Sequence, residues 1–296
     1  MSVGPRRLMA IYNPHASGGS YRRDLPLILR ALRGLGFEVT ESETEAVGHG
    51  VELARRAVAE EFTVVCAIGG DGTVNEVLNG LAGSEVPLGI IPTGTVNVLA
   101  MELGVPLDPP DAVKLLETGD VSAIDLGLAG ERYFGLMAGV GMDAAVVAGI
   151  NPVMKKTLKE MAFAVQGMAH YFTGDDPRIR VESRERTVEG YFAVFGNASS
   201  YAGAFGITPL ADMRDGLLDV CVLKDRSFLS TATYWTAALL NAHLRHPSVE
   251  YFRTEEALVI CAEEGREVLV QTDGEVAGQL PMVCRIVPRS LRVIVP

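Results

Sequence analysis

Long apolar runs are missing from this chain of 296 residues: 48% of it is apolar, yet no stretch approaches the roughly 18 consecutive apolar residues that a membrane-spanning helix needs. Cysteine is scarce. Cys66, Cys221, Cys261 and Cys284 lie far apart in strand-like apolar runs, which excludes a disulfide frame or a clustered metal site and reads as buried thiols in a reducing cytoplasm. Basic residues are outnumbered, 26 against 37 acidic ones, and the net charge of −11 argues against a nucleic-acid partner and gives no general attraction to anionic lipid. There is no internal repeat and no low-complexity segment. The first residues do not read as a secretory leader, because the two arginines before Leu8 lead directly into a short strand-like run ending at Tyr12. What remains is a globular chain, long for one core and suited to two domains.

The rest of the chain is organised around Gly69-Gly70-Asp71-Gly72-Thr73-Val74-Asn75-Glu76. An apolar run from Phe62 to Ile68 precedes it and reads as a buried parallel strand; apolar residues at helical spacing follow it as far as Leu81, with Gly83 as the stop. At such a strand-to-helix turn, backbone N–H groups and a helix N-terminus point the same way, which suits a phosphate. Glycines let the backbone approach a ligand closely. A carboxylate there, Asp71, needs a reason such as a metal or a proton to remove. The alternative is a tight turn with a capping Asp. A second turn of the same kind, Pro92-Thr93-Gly94-Thr95-Val96-Asn97, follows the apolar Leu88–Ile91 and opens another helix. In a parallel sheet both turns lie at the carboxyl edge and face one crevice.

These two motifs together resemble the catalytic domain of the diacylglycerol kinase and sphingosine kinase superfamily, and most of all the bacterial soluble lipid kinases. The first motif is shared with NAD kinases and some phosphofructokinases; the second favours lipid kinases, as do the surroundings of Asp215 and Glu275. The matches run from Asn13 to Glu275. The resemblance implies an ATP- and Mg²⁺-dependent kinase acting on a lipid hydroxyl, with the nucleotide on the first domain, the lipid on the second and the reaction between them. It assigns nucleotide contacts to Thr44, to Gly69, Gly70, Asp71, Gly72, Thr73, Val74 and Asn75, and to Thr95. Glu275, in Asp273-Gly274-Glu275, becomes the general base, and Asp71 either supports that base or holds the magnesium on the phosphates. By the residues alone Asp-Gly is a hairpin signal and Glu275 an exposed turn carboxylate. The resemblance also implies a structural Mg²⁺ on Asp215, with backbone oxygens from Asp212 and Leu217, where the residues alone suggest a solvated turn.

In chain order, strands and helices alternate up to about Gly119, which implies a doubly wound α/β sheet. From Ala123 onward the spacing changes to short strand-like runs, among them Tyr133–Met137, Val188–Phe195, Val268–Thr272 and Val283–Val287, the rhythm of an antiparallel β-sandwich. Residues 1–126 are therefore assigned to a nucleotide-binding domain and 127–287 to a β-sandwich lipid domain, with the resemblance returning 288–296 to the first. Two helical stretches interrupt the sandwich. One, over 153–172, aligns Met154, Leu158, Met161, Val165, Met168 and Phe172 as a core stripe or an acyl-chain wall; the other, over 229–244, contains Trp235 and packs on the sandwich. His49 reads as a helix-start residue. The sequence departs from the family at Asn97-Val98-Leu99, where many bacterial diacylglycerol kinases have Asn-Asp-Phe, and at Tyr201-Ala202-Gly203-Ala204 after Asn197, where many have a glycine cluster. The expected setting is cytoplasmic, with transient contact at the inner membrane face. A lipid is the expected substrate, and a homodimer is one open assembly. The rivals are a soluble-substrate kinase of the NAD kinase type and a non-catalytic lipid- or nucleotide-binding regulator.

Overall fold

A computed structural model describes residues 6–14, 21–141, 177–200, 206–240 and 242–296. The 153–172 stripe and the Tyr201–Ala204 segment lie outside the described residues. The chain divides into two compact units, the first comprising Met1–Leu126 with Pro288–Pro296 and the second Gly127–Val287.

In the first unit the elements alternate: β1 (Arg6–Tyr12), α1 (Tyr21–Gly34), β2 (Phe37–Glu43), α2 (His49–Ala59), β3 (Val64–Gly69), α3 (Asp71–Leu81), β4 (Leu88–Pro92), α4 (Val98–Glu102) and α5 (Pro109–Thr118). The strands pair in parallel in the order β2-β1-β3-β4. Every residue of β3 and β4 is buried. This is why those strands read as unbroken apolar runs, since a parallel sheet is covered on both faces. Helix α2 packs on α3, and α1 on α5. The α2–α3 contact is close because residue 80 is Gly: a Cβ there would lie 2.5 Å from the Ala54 methyl and from the Val51 carbonyl oxygen. Burying side chains such as Leu78 and Leu81 completely contributes about 1.5–3 kcal/mol each.

The second unit holds β6 (Arg132–Phe134), β7 (Met137–Gly141), β8 (Ile179–Ser183), β9 (Thr187–Gly190), β10 (Phe192–Gly196), β11 (Leu218–Leu223), α6 (Phe228–Leu239), β12 (Val249–Thr254), β13 (Glu256–Cys261), β14 (Leu269–Thr272) and β15 (Glu275–Gln279). Its fully antiparallel sheet runs β12-β11-β10-β7-β14-β15. A second layer pairs β13 with β8 and β8 with β9. Val181 and Val259 from that layer pack in one core with Val140, Phe195, Val220 and Val270 from the other. Trp235 on α6 lies against Phe192, ring centroids 6.2 Å apart.

Two strands take part in both units. β5 (Asp120–Ala129) ends in a hairpin with β6, and β16 (Met282–Val295) pairs with β13 at its start and with β4 at its end. Within the first unit the returning segment is held by the buried Asp125, whose Oδ1 accepts the Arg289 N–H at 2.7 Å while Arg289 itself is left-handed (φ 51°).

Several boundaries differ from expectation. Helix α3 begins at Asp71, three residues early. Residues 133–137 form two strands, broken at Gly135-Leu136, and 188–195 form two, broken at Tyr191. Strand β12 is not among the runs read as strands, β15 is signalled only by the Asp-Gly hairpin turn before it, and the separate runs 283–287 and 291–295 are one strand. The predicted helix over 229–244 ends at Leu239 and gives way to a short 3-10 turn, His243–Arg245.

Candidate functional site

The first site is assembled where β3 and β4 end. They are adjacent and parallel, with Gly69 opposite Pro92, so their two turns emerge side by side. Gly70 is the only residue between strand β3 and helix α3, and the Val74 N–H bonds back to its carbonyl at 3.1 Å. The N–H groups of the first turn of α3 have no carbonyl behind them and are the natural donors for an anion. Gly70 and Gly94 face each other: a Cβ on Gly94 would lie 2.4 Å from the Gly70 Cα, and one on Gly70 would lie 3.2 Å from the Gly94 Cα. These glycines thus let the two turns touch, a reason for them that sequence reading missed.

The second turn is closed by Asn97, which is left-handed (φ 58°). Its Oδ1 accepts the Gly94 N–H at 3.1 Å and its Nδ2 donates to the Gly94 carbonyl at 3.2 Å. Asp71 joins the turns: Oδ2 accepts the Asn97 N–H at 3.0 Å and Oδ1 the Leu99 N–H at 3.4 Å. Burial pushes the Asp71 carboxyl above its ordinary value, opposed by the amides of Leu99, Val98 and Asn97. Asp71 therefore does cap a helix, but the helix is α4 and not its own. Val98, where the resemblance leads one to expect Asp, is buried core.

Among the other residues expected to contact a nucleotide, Gly69, Thr73, Val74 and Asn75 are buried, Gly72 and Thr95 are exposed, and Thr44 is buried at the end of β2, its N–H on the Tyr12 carbonyl at 2.8 Å. Glu76 clamps the entry to α2, accepting the Gly48 and Gly50 N–H groups at 2.8 Å each. His49 accepts the Glu45 N–H on Nδ1 at 3.1 Å, as a helix-start residue does.

In the second unit, Asp273 and Gly274 both have positive φ (47° and 83°), as a two-residue hairpin requires, and Thr272 and Glu275 pair across it. An aspartate in this conformation is held by its side chain. Oδ2 accepts the Gly135 N–H at 2.8 Å, and Oδ1 accepts those of Leu136 and Met137 at 2.9 and 3.0 Å. These amides leave the strand ladder to reach Asp273, which explains the break between β6 and β7. Buried Asn197 holds the same corner from the other side, donating to the Gly135 carbonyl at 2.8 Å. Glu275, two residues on, forms an ion pair with Arg132 on β6. Asp273, Asn197 and Arg132 carry no periodic signal; only the left-handed demand of Asp-Gly hinted that residue 273 is special.

The Asp212–Asp219 turn is organised by its own carboxylates. Asp212 caps the Arg214 N–H and Asp215 the Leu217 N–H, each at 3.0 Å, around Gly216 at φ 74°. Fully buried Asp219 accepts from the Tyr251 hydroxyl at 2.7 Å and from Arg253 Nε at 3.1 Å, and Arg253 also lies 3.7 Å from Asp215. Burial raises the Asp215 pKa, with Asp219 and Asp212 adding to the rise and Leu217 and Arg253 opposing it. Among the described residues no three His, Cys, Asp or Glu side chains are grouped to hold a metal, so an ion here would depend on backbone carbonyls. In register, Asp219 faces Gly196, Gly196 faces Met137, and the Asp273 N–H bonds to the Met137 carbonyl. The turn and the Asp-Gly-Glu hairpin therefore sit at one end of the same sheet, three strand spacings or roughly 14 Å apart. The thiols of Cys221 and Cys284 are pushed up to about 12 by burial and are inert.

Residues 7–129 match the diacylglycerol kinase catalytic domain family, and residues 136–295 match the YegS C-terminal NAD kinase beta sandwich-like domain. The diacylglycerol kinase of Staphylococcus saprophyticus is 30% identical over 280 residues, covering 93% of this chain and 91% of that protein. The diacylglycerol kinase of Staphylococcus aureus is 30% identical over 295 residues, covering 98% and 93%. A Bacillus anthracis crystal structure superposes with a TM-score of 0.83 at 23% identity over 98% of this chain and 95% of that one. A second, of a diacylglycerol kinase from the same organism, gives 0.74 at 20% over 99% and 98%. At those identities the structural likeness concerns the fold. The sequence relatives, spanning both units, decide the family: the chain is a kinase and belongs to the diacylglycerol kinase family.

Proposed function

We propose that the protein transfers the γ-phosphoryl group of ATP to the hydroxyl of a diacylglycerol-type lipid. In this reading the first turn of α3 and the Pro92–Asn97 turn bind the nucleotide phosphates, with Thr44 and Thr95 helping to place the nucleotide. Glu275 takes the proton of the lipid hydroxyl as its oxygen bonds to the γ-phosphorus; the bond from that phosphorus to the bridging oxygen breaks, and its electron pair leaves on the β-phosphate of ADP. Bound Mg²⁺ would neutralise charge on the phosphate oxygens. Asp71 is the residue suited to hold it, because burial has raised the cost of its negative charge and a cation would relieve that cost. A separate structural Mg²⁺ would take the Asp215 carboxylate and the backbone oxygens of Asp212 and Leu217.

The observation that carries the reading is the contact of the two glycine turns, Gly70 on Gly94, with the Asp71 carboxylate fastened across them. It builds one rigid cradle of backbone amides at the carboxyl edge of a parallel sheet, where such folds bind nucleotides. A lipid substrate implies transient contact with a membrane surface; no helix among the described residues is long and apolar enough to cross one. The description of the second family keeps an NAD kinase-like substrate as the rival. Thin-layer separation after incubation with γ-labelled ATP, a panel of lipids and NAD decides between them. Label on diacylglycerol is the expected result; label on NAD, or on no acceptor, overturns the proposal.

A further inference from the structure

Glu275 has one carboxylate oxygen, Oε2, on the guanidinium of Arg132, and its Oε1 accepts no hydrogen bond from the described residues. The pair is half-buried, with side-chain exposures of 29% and 35%, against 50% and 41% for a surface pair such as Arg178–Glu189. An exposed pair is screened by solvent and holds its partners loosely, whereas a sheltered one fixes geometry. The backbones on both sides are already tied down by pairing and hydrogen bonds. Arg132 sits opposite Ala129 in the β5–β6 hairpin, two residues before the fully buried Phe134. Glu275 follows the turn that Asp273 nails to the amides of Gly135, Leu136 and Met137. The freedom left is the side-chain torsions of Glu275, and Arg132 removes it.

We infer that Arg132 is a positioning residue for Glu275, anchoring one carboxylate oxygen so that the other is presented in one place to accept a proton. The inference rests on Glu275 being the base. Asp273 shares in the positioning, since it sets the backbone of the hairpin while Arg132 sets the side chain. A planar guanidinium suits this better than an ammonium, because it grips a carboxylate with fixed direction.

The test is a double-mutant cycle on the intact enzyme with γ-labelled ATP and diacylglycerol micelles, comparing wild type, Arg132→Gln, Glu275→Gln and the double variant, with Arg132→Lys alongside. If Arg132 acts through Glu275, Arg132→Gln lowers kcat about 10- to 100-fold while the KM for ATP moves less than about threefold. Arg132→Lys recovers part of that loss, and adding Arg132→Gln to Glu275→Gln costs less than about a further twofold. Arg132→Met, which keeps the apolar stem, replaces Arg132→Gln if the latter does not fold. The same fold-loss from Arg132→Gln in both backgrounds overturns the inference, since Arg132 would then act on its own. So would wild-type turnover in Arg132→Gln beside an impaired Glu275→Gln. Wild-type turnover in Glu275→Gln is a different failure, that of the base assignment itself.

Discussion

Asp71 and Asp273 each set a carboxylate on the backbone amides of a neighbouring segment, and the difference between them separates a working residue from a supporting one. Asp273 accepts three N–H groups from Gly135 to Met137 and occupies a left-handed position that aspartate adopts more readily than most residues. Asp71 sits in the ordinary conformation of a helix start; its oxygens accept the Asn97 and Leu99 N–H groups at 3.0 and 3.4 Å with the Val98 amide beside them, yet burial still raises its pKa. The first carboxylate is well satisfied and holds a fold together. The second carries a charge that its surroundings under-compensate, as a residue awaiting a ligand does.

Removing the well-satisfied carboxylate has the larger effect. Asp273→Ala leaves the corner before β7 without its acceptor and the hairpin without its anchor; each hydrogen bond to a charged group contributes about 1.5–3 kcal/mol, so stability falls by about 3 kcal/mol or more. Urea unfolding measures this, and transfer is lost with it because Glu275 moves. A loss below about 1 kcal/mol would mean that Asp273 is not the clamp described.

Asp71→Asn should separate activity from stability. Phosphoryl transfer falls at least about 10²-fold, while the melting temperature in metal-free buffer at neutral pH rises above wild type. The sign follows from the raised pKa: the ionised carboxylate is less favourable in the folded than in the unfolded protein. Wild type is therefore penalised as pH rises from the ordinary carboxylate range, about 3.9, through the higher folded value. The asparagine variant has no such titration, so its advantage grows over that window and then stays level. Melting curves from pH 4 to 8 test this; an asparagine variant less stable than wild type at every pH would make Asp71 a second Asp273.

These contrasts also mark what was legible in the amino-acid sequence. Strands β3 and β4 were readable because every position is buried, and the glycine turns because they follow those strands. The clamps were not, because Asp273 reaches amides 136 to 138 residues away, and Asp125 reaches Arg289 across 164. Such bonds leave no local pattern. Strand β15 was signalled only by the Asp-Gly turn because no residue in it is buried, and residues 283–287 and 291–295 were read apart because Pro288-Arg289 looks like an interruption. In the site, the motif residues were visible, but Glu76 proved to be a clamp on α2, and Arg132, on a three-residue strand, gave no sign of its link to Glu275.

The glycine pair offers a smaller and graded comparison. Gly94→Ala puts a methyl 2.4 Å from the Gly70 backbone, so the turns must part; Gly70→Ala puts one 3.2 Å from Gly94, which a slight shift absorbs. Gly94→Ala should weaken ATP binding about tenfold, near 1.4 kcal/mol, and Gly70→Ala by less. Calorimetric titration gives both values. Equal affinities in all three proteins would mean that contact between the turns is not what shapes the nucleotide site.

The division of labour between the two units is tested most directly by Glu275→Gln, which keeps the side chain's shape and removes its capacity to take a proton. With diacylglycerol as acceptor, kcat should fall by roughly 10²–10⁴ while the KM for ATP stays nearly constant, because the proposed nucleotide contacts lie on the first unit. Near wild-type kcat in this variant, on a lipid the protein demonstrably phosphorylates, would contradict the account and return Glu275 to the status of a hairpin carboxylate paired with Arg132.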